Sequence, residues 1–171
     1  PLAQAELARQ APTFMDDLFR GRFPARQAPR LGRELADRVA AGGYPAALAR
    51  ASASRASRWY RDYAQAIVER DVRDLARVQA LDVLPRLLAL AAAQTAHLIN
   101  VSDLSVPFQL SRQTIRDYVT LLARVFLLEE LPPWHNNRLS RLVKTPKLHL
   151  GDTGLAAALL GVTGADLWDK R

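Results

Sequence analysis

SRQTIRDYVTLLARVFLLEEL, residues 111–131, combines the signals of a helix with those of a strand that follows it. Ser111 is a favourable N-cap because its hydroxyl can accept a hydrogen bond from a free backbone N–H of the first turn. Apolar residues then recur at three- and four-residue steps, which predicts one buried helix face: Ile115, Tyr118, Val119, Leu122 and Val125. The closing FLLEEL predicts a strand over residues 126–131.

Two further helical patterns precede this stretch. LPRLLALAAAQTA at residues 84–96 is a strong helix former, in which Pro85 is tolerated only in the first turn. Ser102 and Asp103 start a short second helix, which Pro107 should kink or shorten. We therefore predict three helices in succession, the last of which begins at Ser111.

A returning strand completes the pattern. Two prolines end the first strand, residues 135–138 predict a turn, and residues 147–150 alternate polar with apolar side chains. Three helices followed by a hairpin is the order of a winged helix-turn-helix. We predict this fold for residues 83–150, within a mainly α protein.

A helical, lid-like segment is predicted for residues 36–82. A helix over 35–41 should end at the two glycines 42–43, and a new helix should follow over 45–48. A long amphipathic helix is predicted over 57–79 from its apolar stripe. Opposite charges four residues apart indicate that its other side is a solvated face: Arg58 with Asp62, Glu69 with Arg73, and Arg70 with Asp74.

The two ends of the chain carry weaker signals. Thr13 is a candidate cap for a short helix, and the proline-flanked residues 24–29 predict an irregular linker. Within GDTGL, Thr153 or Asp152 is expected to cap a helix over residues 155–160.

Length and composition set the broad class. The chain has 171 residues, a formal charge of +7 and 49% apolar residues, which favours one folded domain over disorder. The lack of cysteine excludes disulfides and thiolate metal sites and fits a cytoplasmic protein. The longest apolar run, at 87–93, is far short of the roughly 20 residues that cross a bilayer. The N-terminus has no secretory pattern, and Pro1 without a preceding Met suggests a fragment.

Recognisable catalytic motifs are missing from this sequence. It contains no GxxxxGK[ST] phosphate loop, no GxGxxG, no GxSxG and no HExxH. His97, His135 and His149 have no companions at metal-ligand spacing. We therefore expect no catalytic residue and no metal site within the chain.

The basic residues point to nucleic acid. In a helix-turn-helix the third helix enters the major groove, and its exposed start is here Arg112, Gln113 and Arg116. Arginine can bond guanine bidentately and glutamine can bond adenine in the same way. The expected phosphate contacts come from the hairpin region: Arg138, Arg141, Lys144 and Lys147. Double-stranded DNA is thus the expected partner.

Two alternatives remain open at this point. Arginine dominance together with heavy alanine use can reflect codon bias alone. Winged helices also serve as protein-docking or oligomerisation modules without DNA contact, so self-association is the alternative partner prediction.

Six motifs together resemble a known family. They are PLAQAEL (1–7), GGYPAAL (42–48), ERDV (69–72), SRQTIRDYVTLL (111–122), LPPWHNN (131–137) and RLVKTPKLHLGDTGLAAALLG (141–161). In order, they resemble the C-terminal half of predicted AAA-superfamily ATPases of bacteria and archaea, in which a domain of unknown function follows the ATPase core. The stretch KTPKLHLGDTGL is the most specific part of the resemblance.

The resemblance implies a place for each segment. Residues 1–35 would be the tail of the ATPase module and a linker, residues 36–82 its helical lid, residues 83–150 the winged helix, and residues 151–171 the start of a nuclease-like module. The phosphate loop would lie upstream, so ATP is expected in the intact parent protein and no cofactor in this fragment.

GGYP also resembles the Gly-x-Pro element of signal-transduction ATPases, which approaches the adenine. By that resemblance Gly43, Tyr44 and Pro45 would be the nucleotide-proximal residues. The residues alone favour an ordinary helix C-cap followed by a new helix start.

Overall fold

The computed structural model describes residues 1–22, 30–72, 82–134 and 145–169. The elements in chain order are α1 (Gln4–Leu7), α2 (Phe14–Phe19), α3 (Arg33–Ala41), α4 (Pro45–Leu48), α5 (Ala53–Ile67) with a π-helical turn (Val68–Val72), α6 (Val83–Ala93), α7 (Val101–Ser105) with a 3₁₀ turn (Val106–Phe108), α8 (Arg112–Arg124), β1 (Leu128–Leu131), β2 (Lys147–Leu150), α9 (Thr153–Leu160) and α10 (Gly164–Asp169). The protein is mainly helical with a small antiparallel sheet, as the sequence predicts.

Helix α9 lies at the centre of the packing. It contacts α3, α5, α6 and β2, and most of its residues are buried. The sequence explains this position, because TGLAAALL has no charged side chain and its small residues let neighbouring helices approach closely. Asp152 caps the helix by accepting a hydrogen bond from the backbone N–H of Leu155 over 2.9 Å. Of the two predicted caps, Asp152 therefore makes the bond.

Helix α8 begins where the sequence predicts. The Ser111 hydroxyl accepts a hydrogen bond from the backbone N–H of Thr114 over 3.0 Å. The predicted apolar face is buried except at Val125, which is partly buried, and Leu121 joins it. This face packs against α7 and β1, so the opposite side of the helix points to solvent.

The hairpin pairs β1 with β2 in antiparallel register. Leu128 lies opposite Leu150, and Leu131 lies opposite Lys147. The strand β1 is shorter than the predicted 126–131, because Phe126 has φ +60° and belongs to the turn that ends α8. The Phe126 ring is 80% exposed. The prediction that the strand begins at residue 126 is therefore wrong, because the strand begins at Leu128.

Residues 96–99 pair with the other side of β2, a contact that the sequence does not predict. The backbone N–H of Ala96 donates to the carbonyl of Leu148 over 2.7 Å, and that of Leu148 donates to the carbonyl of His97 over 2.9 Å. Ile99 N–H likewise donates to the carbonyl of Pro146 over 3.0 Å. The β2 strand therefore has backbone partners on both edges.

Helix α5 starts four residues before the predicted residue 57. Ser52 caps it by accepting from the backbone N–H of Arg55, and the apolar stripe of Tyr60, Ala64 and Val68 is buried as predicted. The Arg58–Asp62 pair forms at 3.7 Å between exposed side chains, whereas the partners expected for Glu69 and Arg70 lie outside the described residues.

Other predictions are refined in detail. Helix α7 is capped by Asn100, which accepts from two backbone N–H groups, and the 3₁₀ turn at Pro107 shortens it as expected. Thr13 lies at the start of α2 but makes no capping bond with its side chain. The predicted linker at 24–29 and the predicted turn at 135–138 fall outside the described residues. In the described ranges, no helix is both long and apolar enough to cross a bilayer.

Candidate functional site

The exposed start of α8 carries three of the predicted DNA-contacting residues. Arg112, Gln113 and Arg116 are all exposed, whereas Ile115 is buried. Neither arginine forms an ion pair with any residue that the structure describes. Their guanidinium groups therefore remain available to an anionic partner.

The neighbouring polar side chains are already hydrogen-bonded within the helix. The Nε2 of Gln113 donates to the Asp117 carboxylate over 2.8 Å. The Thr120 hydroxyl donates to the backbone carbonyl of Arg116 over 2.9 Å. The available charges on this face are thus the two arginines and the Asp117 carboxylate.

Lys147 is the one predicted phosphate contact whose position is described. It is exposed at the start of β2 and forms a bridge with Leu98. The other predicted phosphate contacts, Arg138, Arg141 and Lys144, lie outside the described residues.

Gly43 occupies a buried junction. Its backbone N–H donates to Asp152 Oδ2 over 2.7 Å, and its carbonyl accepts from the backbone N–H of Leu2 over 2.7 Å. A Cβ at this position would collide with the carbonyl of Leu2. Gly43 therefore joins the N-terminal segment to the turn that precedes α9.

Asp152 is the buried centre of this junction. Only 7% of the residue is exposed, and its two carboxylate oxygens accept from the backbone N–H groups of Gly43 and Leu155. The Tyr60 hydroxyl lies beside it and donates to the carbonyl of Ala41 over 2.9 Å. The sequence alone did not predict this arrangement, although the two glycines in each of GGYP and GDTG are a signal of close backbone approach.

Tyr44 belongs to an aromatic cluster with three side chains of α5. Its ring centroid is 5.1 Å from that of Tyr63, 5.7 Å from that of Trp59 and 5.9 Å from that of Tyr60. Trp59 and Tyr63 are stacked on each other. Pro45, the next residue, is exposed at the first position of α4. Of the three predicted nucleotide-proximal residues, Gly43 is thus enclosed, Tyr44 is packed and Pro45 is open to solvent.

The tyrosines near the junction are held neutral. Burial, and next a hydrogen bond with Tyr63, raises the pKa of Tyr44 well above 10.0. Burial, and next the negative charge of Asp152, raises the pKa of Tyr60 in the same direction. Both phenols therefore act as hydrogen-bonding and packing groups at neutral pH. No group of three or more His, Asp or Glu side chains in the described ranges could hold a metal ion.

A largely apolar groove of about 500 Å³ lies beside the hairpin. Leu98, Leu131 and Trp134 are the exposed apolar side chains that line it. Two prolines, Thr145 and Lys147 complete the wall. Exposed apolar surface of this kind often marks an interaction site.

Comparisons with known proteins identify relatives without an assigned role. A family model described as "Domain of unknown function (DUF8612)" matches residues 32–166. The uncharacterized proteins Rv2008c of Mycobacterium tuberculosis (strain ATCC 25618 / H37Rv) and Mb2031c of Mycobacterium bovis (strain ATCC BAA-935 / AF2122/97) are each 27% identical over 133 residues. The match covers 77% of this chain and 30% of each relative, so the chain spans about 30% of the length of these curated relatives. No solved structure matches the chain.

Proposed function

The chain belongs to the family defined by this domain of unknown function, and on that premise we propose that residues 83–150 form a winged helix-turn-helix that binds duplex DNA. The observation that carries the proposal is the exposed start of α8, where Arg112 and Arg116 have no acidic partner among the described residues. Because the opposite face of α8 is buried, these arginines project from a rigid support. Guanidinium groups so placed suit base edges and phosphates.

The strand pairing supports the winged-helix assignment. In this fold a short segment between the first two helices pairs with the last strand of the wing. Residues 96–99, between α6 and α7, pair with β2 in this way. In this reading α8 is the recognition helix, the hairpin is the wing, and Lys147 with Arg138, Arg141 and Lys144 contacts phosphates.

Salt dependence tests DNA binding directly. Four phosphate contacts from the wing should make log Kd rise with log salt at a slope of about 3.6, since each contact contributes about 0.9. We expect Lys147→Ala to lower this slope by about 0.9 and to weaken binding to all duplexes alike. The measurement is fluorescence anisotropy with a labelled duplex across a salt series.

Arg55→Ala is the matched control, because it removes one exposed positive charge from α5, outside residues 83–150. It should leave the slope unchanged. A chain that shows no anisotropy change even at low salt would refute the DNA proposal. Equal effects of Lys147→Ala and Arg55→Ala on the salt slope would show that DNA is attracted only by the net charge of the chain.

We further propose, from the sequence resemblance, that the intact protein is an AAA-type ATPase whose nucleotide state repositions the winged helix. Curated relatives more than three times as long as the matched region leave room for such a core. The hydrogen bond between Gly43 and Asp152 supports the coupling, because it links the GGYP segment directly to the turn between β2 and α9. A displacement near Tyr44 and Pro45 would thus reach the hairpin through few bonds.

Pro45→Ala tests this second step in the intact ATPase. We expect weaker nucleotide affinity, because by the resemblance Pro45 lies near the nucleotide. The fold should be unchanged, because Pro45 is exposed and alanine fits the first position of a helix. Nucleotide titration by calorimetry gives the affinity, and Pro107→Ala is the control at an exposed proline of residues 83–150. Equal nucleotide affinity of the wild type and Pro45→Ala would show that GGYP acts only as a helix C-cap and not as a nucleotide contact.

A protein-interaction module without DNA contact is the second candidate. The groove of Leu98, Leu131 and Trp134 beside the hairpin favours it. Sedimentation that reveals self-association, together with no duplex binding at low salt, would select this function over the first.

A further inference from the structure

Two parallel rows of side chains lie on the exposed face of α8. Arg112 and Arg116 are four residues apart and form one row, and Gln113 and Asp117 form the next. Residues four apart on a helix are neighbours, so each row runs along one line of the surface. The rows differ in hydrogen-bonding character, because guanidinium groups only donate and carboxylates only accept.

The bond between Gln113 and Asp117 sets the character of the second row. Nε2 of Gln113 donates to Asp117 Oδ1 over 2.8 Å, which turns the amide nitrogen towards the carboxylate. Gln113 keeps Oε1 as an acceptor and the second hydrogen of Nε2 as a donor, and Asp117 keeps its second oxygen as an acceptor. Because Nε2 carries a second hydrogen, this bond restricts the orientation of the Gln113 amide towards a base but does not remove its donor.

A donor row beside an acceptor row matches one base pair better than the others. In the major groove guanine presents two acceptors, N7 and O6, and its partner cytosine presents the N4 amino donor. An A·T pair offers no two adjacent acceptors to a guanidinium group, because the N6 amino donor of adenine lies between its N7 and the O4 of thymine.

We propose that α8 reads G·C base pairs, with the arginine row on guanine and Asp117 as the residue that selects cytosine through its N4 amino group. The inference rests on the proposed DNA binding and names the sequence class that this site prefers. The alternative role is purely structural: Gln113 and Asp117 would only stabilise an exposed helix, as such pairs commonly do.

Selection from a duplex pool with a randomised core tests the inference on the whole chain. The wild type should enrich G·C-containing cores. Asp117→Ala should lose this preference, which corresponds to about a tenfold or larger fall in the affinity ratio between selected and A·T-substituted duplexes. Its affinity for unselected DNA should not fall, because a negative charge leaves the face.

Two further variants separate the causes. Asp117→Asn keeps an acceptor for Gln113 but replaces the second oxygen with a donor, so it should lose the preference as well. Glu129→Ala removes another exposed acidic side chain, on β1, and should retain the wild-type preference.

The outcomes distinguish this inference from the function on which it rests. No binding to any duplex at low salt refutes the DNA proposal itself. Binding without G·C enrichment, or an unchanged preference in folded Asp117→Ala, overturns only the reading by Asp117. Circular dichroism of each variant confirms that the exposed substitutions leave the helix content intact.

Discussion

Gly42→Ala should lower the free energy of unfolding by roughly 2–6 kcal/mol, the sum of backbone strain and overpacking. Gly42 has φ +70° and ψ −161°, a conformation open almost only to glycine. A Cβ there would also overlap Asp152 Oδ1 and the Tyr60 hydroxyl, both of which are fixed by burial. The alanine methyl group has no space into which to move without displacing the junction.

Urea denaturation followed by circular dichroism measures this loss. Gly161→Ala is the control, because Gly161 has nearly the same φ of +66° but no other atom within 4 Å of the position that a methyl group would take. Its cost should be only about 1–2 kcal/mol, the strain of a left-handed residue. Equal losses at the two glycines would mean that Gly42 costs no more than an ordinary left-handed residue, and that neither its ψ of −161° nor the packing of the junction adds to the loss.

Local signals predict much of this fold. The N-cap at Ser111, the glycines that end α3 and the apolar steps of α5 and α8 each depend on residues within one or two turns. Helix starts and buried faces follow from such short spacings. The antiparallel hairpin was also predictable, since prolines and an alternating pattern bound its strands.

The contacts between distant segments were not predictable in this way. Gly43 and Asp152 are 109 positions apart, and neither GGYP nor GDTG alone identifies its partner. The pairing of residues 96–99 with β2 depends on tertiary geometry, because this short stretch carries no alternating pattern of its own. Phe126 shows the same limit, since its apolar side chain favours a strand but its backbone closes a helix.

The candidate interface on α8 was predictable only in part. A 3.6-residue period is enough to expose Arg112, Gln113 and Arg116 on one side of α8. The bond from Gln113 to Asp117 is local too, but its effect on base reading depends on which amide atom faces the carboxylate. The junction around Asp152 needed the structure, because its members come from four separate stretches of the chain.

Asp152→Ala should destabilise the protein by about 3–6 kcal/mol, because hydrogen bonds to a charged group contribute roughly 1.5–3 kcal/mol each. The carboxylate is buried and accepts from two backbone N–H groups, those of Gly43 and Leu155. Alanine removes both acceptors and leaves a buried N–H at Gly43 without a partner. Ser111→Ala is the control, since it removes an exposed cap that serves one N–H and should cost about 1 kcal/mol.

Asp152→Asn separates the cap from the cross-chain bond, with unfolding in urea as the measurement for all three variants. Asparagine is as good an N-cap as aspartate, so its carbonyl oxygen can keep the bond from Leu155. Its amide NH₂ would then face the N–H of Gly43, where two donors oppose each other. We expect a loss of about 1–3 kcal/mol, the cost of one unsatisfied buried donor. Wild-type stability of Asp152→Asn would show that Asp152 acts only as the cap of α9, and the link between GGYP and the hairpin would then have no energetic basis.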